Sequence, residues 1–317
     1  MSTAGKIPLK HIVQINVEKA ASLPEKCVGV FIGGTSGIGE HSAYAYAKYI
    51  KSPTIYLVGR NEIAATNIIE KLKTINNNKD AKYEFIKTDV SLIKEDNKLL
   101  KQILEKEEKV NTLVLTTGFL SFNGRTENSE GIDVKLGAHY YGRMRVIDGL
   151  IPLLKKSAER GEPSRAISVL EPGNERIEYP NDLDLKEPRH YSLRSAKDHA
   201  CTMNSYAIER FARLYPDSTF VHMFPGFVAT NAARDLPWYL KSATDLIAKS
   251  LGRNPADVGE RVIYAGLTGE EFKPCGKGLL VSDDLKLLSP KIDLTEKEQE
   301  RIWNHTLDVF KQASGKN

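Results

Sequence analysis

The chain has 317 residues, 41% hydrophobic and 27% charged, with 45 Lys and Arg set against 41 Asp and Glu for a formal net charge of +4. That balance excludes a disordered chain, and no basic stripe interleaved with aromatics offers a surface for nucleic acid. Three cysteines without paired spacing (Cys27, Cys201 and Cys275) argue against a disulfide framework or a metal site; the start lacks the apolar run of a signal peptide, no later run approaches a membrane span, and the expectation is a cytoplasmic protein.

In chain order, Val28-Gly-Val-Phe-Ile32 reads as a buried strand by its length and β-branching, and residues 38–51 after it read as a helix. Strand Thr54-Ile-Tyr-Leu-Val58 and helix 62–74 come next, then a turn at Asn76-Asn77-Asn78-Lys79-Asp80, strand 83–87 and helix 92–107. Asn111-Thr-Leu-Val-Leu115 is a fourth strand, followed by a long helix over about 131–158. Arg165-Ala-Ile-Ser-Val-Leu170 is a fifth, helix 193–214 follows, Thr219-Phe-Val-His-Met-Phe224 is a sixth and Gly278-Leu-Leu-Val281 a seventh. Strands alternating with helices of this length pair in parallel through right-handed crossovers. The predicted fold is therefore a single doubly wound α/β domain with a mostly parallel seven-stranded sheet and a C-terminal helical tail. Its tail begins with a Thr-capped amphipathic stretch around Leu294-Thr-Glu-Lys-Glu.

The first strand runs directly into Gly33-Gly34-Thr35-Ser36-Gly37-Ile38-Gly39. Gly33 permits the tight turn, Gly37 lets the backbone approach a pyrophosphate, and Gly39 lets the helix lie close to the strand. A dinucleotide site follows from that spacing in that context. At the end of the second strand, where an NAD binder carries an acidic residue for the ribose, the chain reads Val58-Gly59-Arg60-Asn61. Arg60 can grip a 2′-phosphate, with Thr35, Ser36 and Asn61 as neutral donors, so the expected cofactor is NADP(H). The chain then divides into an N-terminal extension (1–25), an NADP-binding domain (26–285) with a substrate lid at about 227–255, and a helical tail (286–317). A homo-oligomer stays open.

These residues resemble the short-chain dehydrogenase/reductase family over about residues 26–282. The glycine loop is similar to the family's TGxxxGxG, with Ile32 in place of threonine. Asp89-Val90 resembles the pair that contacts the adenine, Gly118 the glycine closing the NNAG segment, and Pro225-Gly226-Phe227-Val228-Ala229-Thr230 the PGxxxT segment. Through that last likeness Pro225, Gly226 and Thr230 are implied to hold the nicotinamide carboxamide. The stretch from Glu130 onward and the tail with Trp303 look most like the fungal and retinol-dehydrogenase-like branches.

The departures fall on the chemistry. Leu115-Thr116-Thr117-Gly118 stands where the family has NNAG, and aligning Gly142 and Pro152 places His139 at the usual catalytic asparagine. The usual serine falls nearer Leu170 or Glu171 than Ser168. No YxxxK occurs where the family has it: Tyr44–Lys48 follows the glycine loop and Tyr83–Lys87 lies along a strand. Counting back about 30 residues from Pro225-Gly226 gives Ser195 and His199 for the tyrosine and lysine places. A helix one turn longer brings in Tyr191, and Lys197, six residues on, diverges from it by about 120° around the axis. Candidate catalytic residues are therefore Tyr191, His199 and His139. Two readings follow: an NADPH-dependent reductase of a carbonyl on a lipophilic small molecule, or a reductase fold turned to non-redox work as cyclase, isomerase, dehydratase or cofactor-binding protein. Asp235-Leu-Pro-Trp-Tyr-Leu240 with Leu246-Ile247 reads as an apolar lid, which points to the lipophilic substrate.

Overall fold

A computed structural model describes residues 7–119, 121–228 and 252–315. One sheet runs through the molecule in the order β3-β2-β1-β4-β5-β6-β7-β8. Its strands are β1 (Lys26–Ile32), β2 (Ser52–Gly59), β3 (Lys82–Lys87), β4 (Thr112–Leu115), β5 (Arg165–Val169), β6 (Thr219–Met223), β7 (Leu279–Val281) and β8 (Leu287–Leu288). All neighbours pair in parallel except β7 and β8, which form an antiparallel hairpin at the edge. The sheet thus has eight strands and not the seven expected. β8 is two exposed leucines long, too short to show any period along the chain.

The helices that pack on this sheet are α1 (Leu9–Ala20), α2 (Gly37–Tyr49), α3 (Glu62–Ile75), α4 (Ile93–Lys106), α5 (Val134–Leu136), α6 (Gly142–Glu159), α7 (Leu193–Leu214), α8 (Pro255–Ile263) and α9 (Glu296–Gly315). A π-turn at Gly137–Tyr141 joins α5 to α6, so the long helix expected from about 131 starts three residues late and is locally underwound inside. Two buried clusters lie on opposite faces, as double winding requires. One gathers Leu99 and Leu100 of α4, Met144 and Ile147 of α6, and Met203 and Phe211 of α7. The other gathers Ala43 and Tyr46 of α2, Ile68 of α3 and Val258 and Val262 of α8.

Both flanking segments are fastened to the domain. In α1, Asn16 donates to Glu260 and accepts from Thr268, and Ile12 is fully buried. In α9, Trp303 stacks edge-on against Phe211 with centroids 5.1 Å apart, and Thr306 shares a 2.7 Å hydrogen bond with the Tyr140 hydroxyl. A buried indole and a satisfied phenol together make the tail part of the core. No described helix is long and apolar enough to cross a membrane. Most of the expected lid, including Trp238, lies outside the described residues.

The order β2-β1-β4-β5 reverses direction between β1 and β4, and ligands of open α/β sheets bind in the crevice at such a switch point, beyond the carboxyl ends of the strands. A cleft opens in that crevice.

Candidate active site

A cleft of about 600 Å³ opens over the carboxyl ends of β1, β2, β4, β5 and β6. Its first half is made by the glycine loop. Gly33 has φ +84°, closed by its N–H donating to Val58 O at 2.9 Å. Gly39 is where the helix meets the loop: a Cβ there would stand 2.4 Å from Gly33 O and 2.7 Å from Thr116 Oγ1. Thr35, Ser36, Gly37 and Ile38 line the cleft with Gly33. Ser36 occupies the N-cap of α2 without capping it through its side chain, so the first-turn N–H groups are left for a ligand. Uncapped amides at the positive end of a helix, in a loop that only glycines can form, suit a pyrophosphate.

At the rim, Arg60 and Asn61 follow directly after β2. Asn61 caps α3 by accepting from Ala64 N at 3.0 Å, which leaves its amide hydrogens but not its oxygen for a ligand. Arg60 is largely exposed, and among the described residues its ion-pair partner is Asp89 at 3.4 Å, a long and weak pairing. Asp89 itself accepts from Ser91 N and Oγ, so its carboxylate shapes the β3–α4 turn beside the buried Val90. No carboxylate stands at the end of β2. The residues present therefore fit a dinucleotide carrying a phosphate on its adenosine ribose.

The second half of the cleft is walled by Gly118, Phe119, Val134, Leu170, Phe224 and Pro225. Gly226, at φ +78°, turns the chain just beyond it, and Thr230 lies outside the described residues. His139 lines this half: its Nε2 accepts from Phe119 N at 3.2 Å, and burial, reinforced by Arg143, pushes its pKa down to about 3. The imidazole is neutral at any ordinary pH.

Beneath His139 sits a residue that sequence reasoning missed. Arg143 is 1% exposed and lines the floor, donating to Ser168 Oγ at 2.9 Å, Val169 O at 2.8 Å, Ala138 O and Thr117 O. Ser168 donates onward to Asn204, whose amide donates to His139 O at 2.8 Å. Ser168, which had no assigned role, is thus a buried connector. Burial draws the guanidinium down to about 9, still charged at neutral pH. Its partners are all neutral acceptors, so a net positive charge lies under the far half of the cleft.

The structure does not bring Tyr191 or His199 to the cleft. The Tyr191 hydroxyl donates to Asp133 Oδ2 at 3.1 Å and accepts from Lys135 Nζ at 3.0 Å. Burial and the Asp133 charge raise its pKa above the ordinary phenol value. His199 is fully buried, with Nδ1 3.2 Å from Leu183 O and Nε2 accepting from Tyr179 N, so it fastens the 172–190 segment. Ser195 closes a capping box with Ser192 at the start of α7. The α7 residues that do reach the cleft are Lys197 and Ala200. Lys197 Nζ lies 3.3 Å from Glu171, which follows β5, and 3.5 Å from Asp198. Four residues after Lys197 stands Cys201, fully buried. Tyr44 and Lys48 do not meet: Tyr44 donates to Glu40 and Lys48 pairs with Glu260.

A doubly wound sheet with a glycine cradle at its switch point defines a dinucleotide-binding protein of the Rossmann type. Comparison with known proteins narrows this. The family described as short chain dehydrogenase matches residues 27–161. A curated oxidoreductase of Emericella nidulans is 42% identical over 64% of this chain, which spans 58% of that relative's own length. Oxidoreductase andH of Emericella variicolor is 30% identical over 97% of this chain and 98% of its own. Among solved structures, an alcohol dehydrogenase of the archaeon Thermococcus sibiricus, complexed with 5-hydroxy-NADP, superposes with a TM-score of 0.58 at 18% identity, covering 84% of this chain and all of that one. The chain belongs to the short chain dehydrogenase family.

Proposed function

We propose that the protein is an NADP(H)-dependent oxidoreductase that reduces a carbonyl on a lipophilic small molecule. The observation that carries this is the cleft's continuity: one cavity runs from the uncapped amides of α2 and the exposed rim arginine Arg60 to an apolar-walled far end beside Lys197. A reduced nicotinamide bound there supplies hydride. The chain's own work is to anchor the phosphates on α2, hold the 2′-phosphate with Arg60, and exclude water between Phe119, Leu170 and Phe224. The 5-hydroxy-NADP bound by the Thermococcus relative agrees with the cofactor assignment. Phe122 and Phe227 are exposed, at 64% and 84%, within three residues along the chain of the lining residues Phe119 and Pro225, and favour an apolar substrate.

A second reading, non-redox chemistry on the same fold, draws on one observation: among the described residues no phenol lines the cleft. One experiment separates the two. NADPH binding is followed by fluorescence, and NADPH consumption is then measured against lipophilic ketones, enones and quinones such as menadione, with product isolation. Consumption matched by alcohol or hydroquinone supports the reductase. Tight NADPH binding with no consumption across the panel favours the second reading.

A further inference from the structure

We infer that Lys197, held in place by Glu171, is the proton donor of the reaction. The inference rests on the carbonyl-reductase reading above and names the donor that reading lacks.

The far half of the cleft has four titratable side chains among its described lining residues: His139, Arg143, Glu171 and Lys197. His139 is neutral and its Nε2 is spent on Phe119 N. Arg143 commits its hydrogens to Thr117 O, Val169 O, Ala138 O and Ser168, and is sealed from solvent, so it acts as a fixed charge. Glu171 accepts from Asn174 Nδ2 at 2.6 Å and points its other contact at Lys197. Lys197 alone combines a place in the lining, a transferable proton and partial exposure, its side chain being 45% accessible. It projects from the first turns of α7, the helix that leads into β6 and Pro225, on the side that faces the end of β5.

The step balances as follows. A bound reduced nicotinamide would supply the hydride for the new C–H bond as the carbonyl π pair moves to oxygen. That oxygen takes a proton from Nζ, leaving a neutral amine. Solvent at the exposed face of Lys197 restores the ammonium. Glu171 gains and loses nothing; it keeps the ammonium aimed inward.

Every charged group near Nζ bears on the pH dependence. Burial works to lower the lysine pKa, but Glu171 and Asp198 outweigh it, with Cys201 adding slightly, and the net direction is up. Arg194 from the same helix lies 3.5 Å from Asp198 and tempers that partner, and Arg143 and His139 face the same cavity from α6 and the π-turn. A lysine held above its ordinary value of about 10.4 stays protonated through neutral pH. Reduction is then flat from about pH 6 to 9, whereas alcohol oxidation, which needs the neutral amine, climbs with pH across that range.

The test uses the full chain with NADPH and menadione, wild type beside Lys197→Met, Lys197→Arg and Lys197→Tyr. Lys197→Met should lower single-turnover reduction about 10²–10⁴-fold while NADPH Kd stays within about threefold. Lys197→Arg should restore little, because a guanidinium does not release its proton, and Lys197→Tyr should recover at least tenfold over Met. Independently of turnover, acylation of Lys197 mapped by mass spectrometry should be slowed by saturating NADP⁺, with exposed Lys101 as the unprotected control. Full activity in Lys197→Met overturns the inference, as does a rise in NADPH Kd that accounts for the whole loss, or acylation indifferent to NADP⁺. An inactive wild type that still binds NADPH overturns the carbonyl-reductase reading instead.

Discussion

Replacing Arg60 with alanine probes the cofactor assignment where the structure is most explicit. The guanidinium projects just beyond β2 with 59% of its side chain exposed and, among the described residues, meets only Asp89, at 3.4 Å. An exposed pair of that length contributes about 0–1 kcal/mol, so little is given up when a phosphate takes its place. A charge-assisted bond to a dianionic 2′-phosphate contributes about 1.5–3 kcal/mol, and solvent at this rim holds the net nearer the lower figure. NADPH affinity should therefore fall about tenfold in Arg60→Ala, with NADH affinity unchanged because that cofactor has no group for Arg60 to hold. The parent should favour NADPH by the same factor, and the preference should shrink as salt shortens the screening length. Arg60→Glu should go further and reverse it by placing a carboxylate beside the ribose. Fluorescence titration with both cofactors at low and high salt measures all of this. Equal affinities in the parent, or an equal loss for both cofactors in Arg60→Ala, would refute the reasoning.

Arg143→Met should lower stability by about 3 kcal/mol, since Thr117 O, Val169 O and Ser168 Oγ lose their donor inside the protein; thermal unfolding should show Tm lower by roughly 4–5 °C, and a shift under a degree would mean the network carries no weight. Gly39→Ala pushes a Cβ onto Gly33 O and should cost about 1–3 kcal/mol together with at least a tenfold loss of NADPH affinity, whereas Gly124→Ala, with no atom within 4 Å of its added Cβ, should fold and bind normally. Tyr191→Phe should cost about 1 kcal/mol through Asp133 and Lys135 yet leave turnover within about threefold; a hundredfold fall in kcat would return the phenol to the chemistry.

What the sequence by itself determined is local. The alternation of apolar runs with amphipathic stretches specified a doubly wound sheet, because a strand with β-branched residues and a helix with a 3.6-residue stripe each declare themselves within a dozen residues. The glycine loop and the arginine after β2 were legible for the same reason: positive φ at Gly33, the close approach at Gly39 and the missing carboxylate are properties of consecutive residues. Tertiary structure alone decided the far half of the site. Counting back led to Ser195, whereas the fold turns Lys197 into the cleft; those two residues are about 200° apart around a helix, enough to exchange the buried face for the cleft. That phase was set by the Ser192–Ser195 capping box and by how the 172–190 segment folds over His199, both contacts between residues whose spacing shows no period. Arg143 was invisible because along the chain it is one charge inside an apolar helix face. Its meaning comes from acceptors on the end of β5, the turn after β4 and the π-turn, which meet only when the sheet is assembled.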